Sequence, residues 1–431
     1  MRVRVLRVHH GGRDSGARHR ERALVARGID VTLVVPRAGT SERPGVRTTE
    51  EPFRIVELDA ERVDDPLRHR YRDPAAIRAV IDLVRPDVLD VHEEPSSAAA
   101  RQWLTAAGNL PVALYAEENL DRRLSPVHTR REREVLRRAD ALYPCTRQAA
   151  AVARGRGFAG QIEVLPLGVD DRTFSTGRQS LNSTQIVLGM VGRFTPDQGL
   201  LDGVRVLAEV RRVRPVRLLV VGDGPELPAA RALAAELGVA DALDVAGWCS
   251  VDRLAELYRQ MHVVLVPRRG SPDRVVRFPQ VVPEALASGA VVAGYDSGAV
   301  PEIAGRAGVI VPEGEFRALA RTVTRLVTDP EEHARRRSAG AAMALSQTWA
   351  EVTRRQTSLY RGILSGAHDR LPVVRSAARR RELARVEFGP PACPVPGRVG
   401  TPGCGTARWW WMGSAGRAPA AEVGGAITVL Q

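Results

Sequence analysis

Residues 190–199 read MVGRFTPDQG: an apolar run that closes on Gly192, a long cationic side chain, Arg193, at its mouth, and Gly199 ahead of the next helical pattern. A strand ending in glycine lets the backbone come close to a phosphate, and an arginine beside it can make paired hydrogen bonds to a diphosphate. The same strand–turn–helix unit returns three times downstream. VVGDGPE (220–226) sets Gly222 at a strand end with a proline at the helix start. FPQVVPEALASG (278–289) sets Glu284 in the first turns of a helix, and SGAVPEI (297–303) repeats the turn. A carboxylate placed like Glu284 suits ribose hydroxyls, while helix amides suit a diphosphate.

Reading outward, apolar runs at 186–192, 216–225, 242–247, 261–267, 290–294 and 308–312 alternate with helical patterns at 199–212, 226–237 and 281–288. The first half repeats the scheme, with runs at 2–7, 30–35 (stopped by Pro36), 53–58, 87–91, 112–115, 139–143 and 162–166. Helical patterns fall there at Ser15–Arg27 and 73–84. Strands separated by helices of this length predict parallel pairing and right-handed crossovers. The fold class is therefore α/β, with two doubly wound, Rossmann-like domains and a ligand cleft between the C-terminal edges of their strands. The expected divisions are a first Rossmann-like domain over 1–170, a polar linker over 171–184, a second Rossmann-like domain over 185–345 and a C-terminal helix over 346–365. The segment 366–431 is Pro/Gly-rich without hydrophobic period and reads as a disordered tail, or, through the RWWW cluster at 408–411, as a peripheral contact.

Hydrophobic residues make up 44% of the 431 and charged residues 26%, which excludes fibrous and wholly disordered classes. No apolar run reaches the ~18 residues of a membrane span. The opening MRVRVLRVHHGG has no long apolar region of a signal peptide, so the expected compartment is the cytoplasm. The net charge is +13, carried by arginine alone, since the chain has no lysine. That charge is dispersed rather than gathered on one face, which argues against nucleic acid. It suits phosphorylated ligands, or peripheral contact with the anionic inner face of a membrane. The absence of lysine also excludes a pyridoxal-phosphate Schiff base. Cys145, Cys249, Cys393 and Cys404 have neither zinc nor redox spacing, and Asp64–Asp65 precedes a proline, so no metal site and no cofactor are expected. Gly11 and Gly12 follow the first strand without forming G-x-G-x-x-G.

Taken in order, VGRFTPDQG, VGDGPE, VRFPQVVPEALASG and SGAVPEI resemble the donor half of glycosyltransferase family four, a retaining family of GT-B fold. The resemblance extends to PLGVD…F at 166–174 and to the helix bearing Trp349 and Tyr360, and covers roughly residues 1–364. It implies transfer of a hexosyl group, with retention and no required metal, from a UDP-, GDP- or ADP-hexose to a hydroxyl acceptor. The acceptor can be a lipid, a polysaccharide or a small molecule. It also implies diphosphate contacts at Arg193, ribose contacts at Glu284, and proximity of Phe278, Pro279, Gln280 and Val281 to the phosphates and sugar. Gly222 and Gln198 fall at donor-binding positions, Gly11 and Gly12 flank the donor from the other domain, and His92 matches an acceptor-side histidine. Arg193, Glu284 and His92 are thus the implied catalytic residues.

Three departures stand out. The family's lysine is Gln198, its first paired glutamate is Val276, and YAEEN (115–119) replaces a further histidine. Arg268, Arg269, Arg274 and Arg277 are the cations that could stand in for the lysine. Two other readings follow: a GT-B nucleotide-binding or scaffold protein without turnover, and a GT-B sugar-nucleotide epimerase.

Overall fold

The apolar runs of the first half pair into one sheet in the order β3-β4-β2-β1-β6-β7-β8-β9, with β5 beside β4. Its strands are β1 (Arg4–Val8), β2 (Asp30–Ala38), β3 (Val46–Arg47), β4 (Arg54–Glu61), β5 (Arg70–Tyr71), β6 (Val88–Val91), β7 (Val112–Ala116), β8 (Ala141–Pro144) and β9 (Gln161–Ile162). All pairings are parallel except those of the short β3 and β5 on β4. The structure is a computed structural model and describes residues 2–38, 46–47, 51–65, 67–121, 123–177, 181, 185–270 and 276–368. The expected tail beyond 368, with Cys393, Cys404 and the RWWW cluster, lies outside the described residues, as does Arg274.

The second sheet runs β12-β11-β10-β13-β14-β15 and is parallel throughout. It comprises β10 (Ile186–Arg193), β11 (Val216–Asp223), β12 (Leu243–Gly247), β13 (Val263–Val266), β14 (Val291–Tyr295) and β15 (Val309–Val311). Helices α1 (His19–Ala26), α2 (Pro74–Val84), α3 (Ala98–Ala106), α4 (Pro126–Arg138) and α5 (Arg147–Gly155) cover the first sheet. The second carries α6 (Leu200–Arg211), α7 (Leu227–Glu236), α8 (Val251–Tyr258), α9 (Val281–Ala287), α10 (Val300–Ala304), α11 (Phe316–Thr328) and α12 (Pro330–Ser346). Strands such as β6, β7, β13 and β14 are buried along their whole length, as sheets covered on both faces require. Among the described residues no helix is long and apolar enough to cross a membrane.

Strand order locates the site. In each sheet the winding reverses once, next to β1 and β6 in the first and next to β10 and β13 in the second. Ligands of open α/β sheets bind beyond the carboxyl ends of the strands at such reversals. The loops there begin at His9, His92, Phe194 and Pro267.

Two sequence expectations change locally. The helix expected over Ser15–Arg27 begins only at His19; two 3-10 turns, His10–Arg13 and Ser15–Ala17, precede it. Asp14 accepts a hydrogen bond from the Gly16 amide, and the Arg18 side chain donates to the Gly12 carbonyl, so the chain is held in turns before the helix can start. Strand β2 continues through Pro36 to Ala38 rather than stopping at the proline. Val34 accepts from His9 where β1 ends, so Pro36, two residues on, faces a side with no further β1 partner and its missing N–H leaves no acceptor unpaired.

Helix α13 (Trp349–His368) returns to the first sheet. Gln356 and Tyr360 on it donate to Asp90 of β6, and Arg355 pairs with Glu163 at 2.5 Å. The C-terminal helix is thereby part of the packing of the N-terminal sheet.

Candidate active site

On the second sheet the site is built by the loops after β10, β11 and β13. Arg193 closes β10 and is exposed. At the end of β11, Gly222 has φ +124° and lies so near β10 that a Cβ would fall on the Gly192 carbonyl oxygen. The Gln198 carboxamide donates to Asp197 at 3.2 Å, and the Asp197 carbonyl accepts from the Arg269 amide at 2.8 Å, which joins the loop after β10 to the loop after β13. Phe278 and Val281 are buried, and Gln280 donates to the Gly168 carbonyl at 3.0 Å, tying the Phe278–Val281 segment to the chain between β9 and β10.

Glu284 sits half-buried on α9, and the buried Tyr258 hydroxyl donates to it at 3.1 Å. Burial pushes the Glu284 carboxyl up to about 8, against hydrogen bonds from Tyr258 and Gln280 that favour its ionised form. The carboxyl therefore holds its proton at neutral pH until something donates to it.

Of the four cations that could replace the lysine, two are committed elsewhere. Arg269 pairs with Asp202 at 2.6 Å, and Arg277 pairs with Glu117 at 2.6 Å and with Glu118. Arg268 follows β13 directly, and Asp197 and Tyr258 are the charged and polar groups that act on it; burial lowers its pKa against their pull. Asp197 adjoins the position of the missing lysine, and Tyr258 is the residue that donates to Glu284.

Across the cleft, Gly11 and Gly12 lie in the 3-10 turn that follows β1. His92 follows β6, its ring stacked 3.8 Å from that of Tyr115 and 4.3 Å edge-on from His9. Burial, and then the neighbouring His9, Arg7 and Arg20, hold His92 well below the ordinary histidine value, so its ring is neutral. The two halves meet through a strap. Asn119 donates to the carbonyls of Val276 and Arg277 at 3.1 and 2.8 Å, and Glu302 caps the Arg147 amide at the start of α5. The Val276 backbone is thus used structurally where the motif would carry a glutamate side chain.

Residues 11–173 match the family described as Glycosyltransferase Family 4, and residues 185–329 match Glycosyl transferases group 1. The chain belongs to glycosyltransferase family four. The family's GT-B fold is the architecture described above: the chain superposes on Anabaena HepE in complex with UDP-glucose with a TM-score of 0.62, at 14% identity, covering 84% of this chain and 100% of that one. Among curated relatives, a GDP-mannose-dependent alpha-(1-6)-phosphatidylinositol dimannoside mannosyltransferase of Mycobacterium tuberculosis is 28% identical over 78% of this chain and 90% of its own. A 2-deoxystreptamine glucosyltransferase of Streptomyces kanamyceticus is 29% identical over 51% of this chain; the match spans 59% of that relative's length.

The family's motifs point to Arg193, Gly222 and Glu284 because each stands at a fixed offset from a strand end. They are silent about Tyr258, at the far end of α8, and about the buried polar floor under β1. That floor had one visible sign, the arginines Arg4 and Arg7 inside the apolar run VRVLRV, of which Arg7 belongs to the floor. Arg7 is fully buried between Glu21 at 2.5 Å and Asp90 at 2.6 Å.

Proposed function

We propose that the protein transfers a hexosyl group from a nucleoside diphosphate sugar to a hydroxyl acceptor, with retention of anomeric configuration. The observation that carries this reading is the placement of Glu284, Arg193 and Arg268 around one strand-order reversal, opposite the Gly11–Gly12 turn and His92. In this reading Glu284 accepts from the ribose hydroxyls. Arg193 and Arg268 balance the diphosphate, and the Phe278–Val281 backbone lies along the phosphates and the sugar. Arg268 supplies the cation that the motif carries at position 198. Charge on the departing diphosphate grows during glycosidic cleavage, so fixed cations there stabilise the transition state. The acceptor proton passes to the leaving phosphate oxygen, and the neutral His92 ring lines the acceptor side. No metal ion takes part in the scheme.

Incubation of the full chain with UDP-, GDP- and ADP-hexoses and a hydroxyl-acceptor panel tests the reading, with the product anomer read by NMR. Nucleotide binding without any turnover would instead favour a binding protein, and an altered sugar released without acceptor would favour an epimerase.

Calorimetric titration tests the donor site. Glu284→Ala is expected to weaken UDP or GDP binding by about 10- to 100-fold, the equivalent of about 1.5–3 kcal/mol for a hydrogen bond to a charged group. Arg268→Ala should lose a similar factor and Arg269→Ala very little. Because the apo Glu284 carboxyl keeps its proton up to about pH 8, accepting from ribose at pH 7 must expel that proton. Titrations in buffers of different ionisation enthalpy should therefore show proton release at pH 7 that fades at pH 9 and is absent in Glu284→Ala. Unchanged affinity in Glu284→Ala would refute this placement. The same substitution removes an acceptor from the buried Tyr258 hydroxyl, so a stability loss of about 1 kcal/mol should accompany it. Read from sequence alone, Glu284 is a wet cleft residue with no such buried partner.

A further inference from the structure

We propose that His10, His69 and Glu93 form a binding site for a divalent transition-metal ion of the zinc type beneath the N-terminal wall of the cleft. The three residues come from separate loops: the turn after β1, the segment entering β5, and the end of β6. One ring nitrogen of each histidine and one carboxylate oxygen lie within 4.8 Å of one another. The side chains of His69 and Glu93 are fully buried, and that of His10 is 14% exposed.

Distances within the cluster are close to those of ligands around one ion. His10 Nδ1 lies 2.5 Å from Glu93 Oε2, and the His10 backbone amide donates to Oε1 at 2.7 Å. An ion would take the place of the proton shared there, with His10 Nδ1 and the Glu93 carboxylate as ligands, since a carboxylate bonded to Nδ1 cannot also reach an ion on the far side of the ring. His69 Nε2 and Glu93 Oε1 are 3.8 Å apart, too far for a hydrogen bond with each other. Two ligands bound at about 2.0–2.1 Å in a tetrahedron stand about 3.3 Å apart, so a small contraction brings this pair into coordination. The neighbouring Tyr71 hydroxyl, whose ring meets His69 edge-on at 6.2 Å, is buried without a hydrogen-bond partner. An ion with a bound water in its fourth position would give that hydroxyl one.

Two imidazoles and one carboxylate suit zinc and its neighbours, whereas magnesium and calcium take oxygen ligands. The ion would pin the turn that carries Gly11 and Gly12 to the ends of β5 and β6. It acts as a positioning site, so it stands independently of the transfer scheme. No sequence spacing announces it, because positions 10, 69 and 93 meet only through the sheet.

Full-length protein without an affinity tag, stripped with chelator, is titrated with Zn²⁺ by calorimetry and with Co²⁺ by visible absorption. The expected result is one ion per chain, a tetrahedral ligand-field band for Co²⁺, a thermal midpoint raised by Zn²⁺, and no response to Mg²⁺. His10→Ala, at the least buried ligand, and Glu93→Gln should each weaken Zn²⁺ binding by at least about tenfold and abolish the midpoint shift. Circular dichroism confirms that the variants fold. Absence of Zn²⁺ and Co²⁺ binding by the parent protein overturns the proposal, and so does binding that persists unchanged in both variants.

Discussion

Arg7→Met is expected to destabilise the protein by about 3–5 kcal/mol, the range for removing one partner of a buried ion pair. Arg7, Glu21 and Asp90 have fully buried side chains. Burial works against the charge of Arg7, but Asp90, Tyr143 and Glu21 outweigh it and keep the guanidinium charged. Burial likewise opposes ionisation of Glu21, and Arg7 overcomes it, holding that carboxyl far below the ordinary range. Asp90 also accepts from Tyr143, and from Gln356 and Tyr360 of α13. Without Arg7, two carboxylates remain in the core with only neutral donors. Methionine fills the volume, so the loss reports charge rather than a cavity. Urea unfolding followed by circular dichroism measures it. Arg4→Met, which removes a half-exposed pair with Asp87, is the control and should cost at most about 1 kcal/mol. Equal effects of the two substitutions would show that the buried network contributes no more than a surface pair.

Gly222→Ala is expected to weaken nucleotide binding by at least about tenfold and to cost about 2–5 kcal/mol of stability, from backbone strain and overlap together. At φ +124° an L side chain is strained, and its Cβ would land on the Gly192 carbonyl one strand away. Backbone cannot swing aside as a side chain can, so β10 and β11 must part at their carboxyl ends, where Arg193 is presented. Gly238→Ala separates the two causes: that glycine has φ +69° with nothing within 4 Å of a Cβ. It should cost about 1–2 kcal/mol from strain alone and leave nucleotide affinity intact. Unfolding and calorimetry on both variants measure the difference. Normal nucleotide affinity in Gly222→Ala would place the donor away from this turn.

The alternation of apolar runs and helical patterns made both sheets legible, because strands buried on both faces must be apolar throughout. The motif turns were legible for a related reason: a glycine or a charged residue at a strand end stands at a fixed offset from a hydrophobic run. Local competition was harder to read. Asp14, Gly16 and Arg18 delay α1 by four residues through hydrogen bonds that no periodicity reveals. Pro36 fits inside β2 only because the neighbouring strand has already ended.

What the sequence by itself determined is therefore the fold class, the family, and the strand-end positions of Arg193, Gly222 and Glu284, all of which depend on contacts local in the chain. Tertiary structure alone decided which charges meet the arginines near Gln198: Asp202 takes Arg269 and Glu117 takes Arg277, while Asp197 and Tyr258 act on Arg268. It also set the ionisation of Glu284, since burial raises its carboxyl against the hydrogen bonds from Tyr258 and Gln280. It brought His10, His69 and Glu93 together, and it joined α13 to Asp90 across 266 residues of chain. Charge pairing and desolvation act through space over a few ångströms, and in a parallel sheet with long crossovers those ångströms separate residues far apart in the sequence.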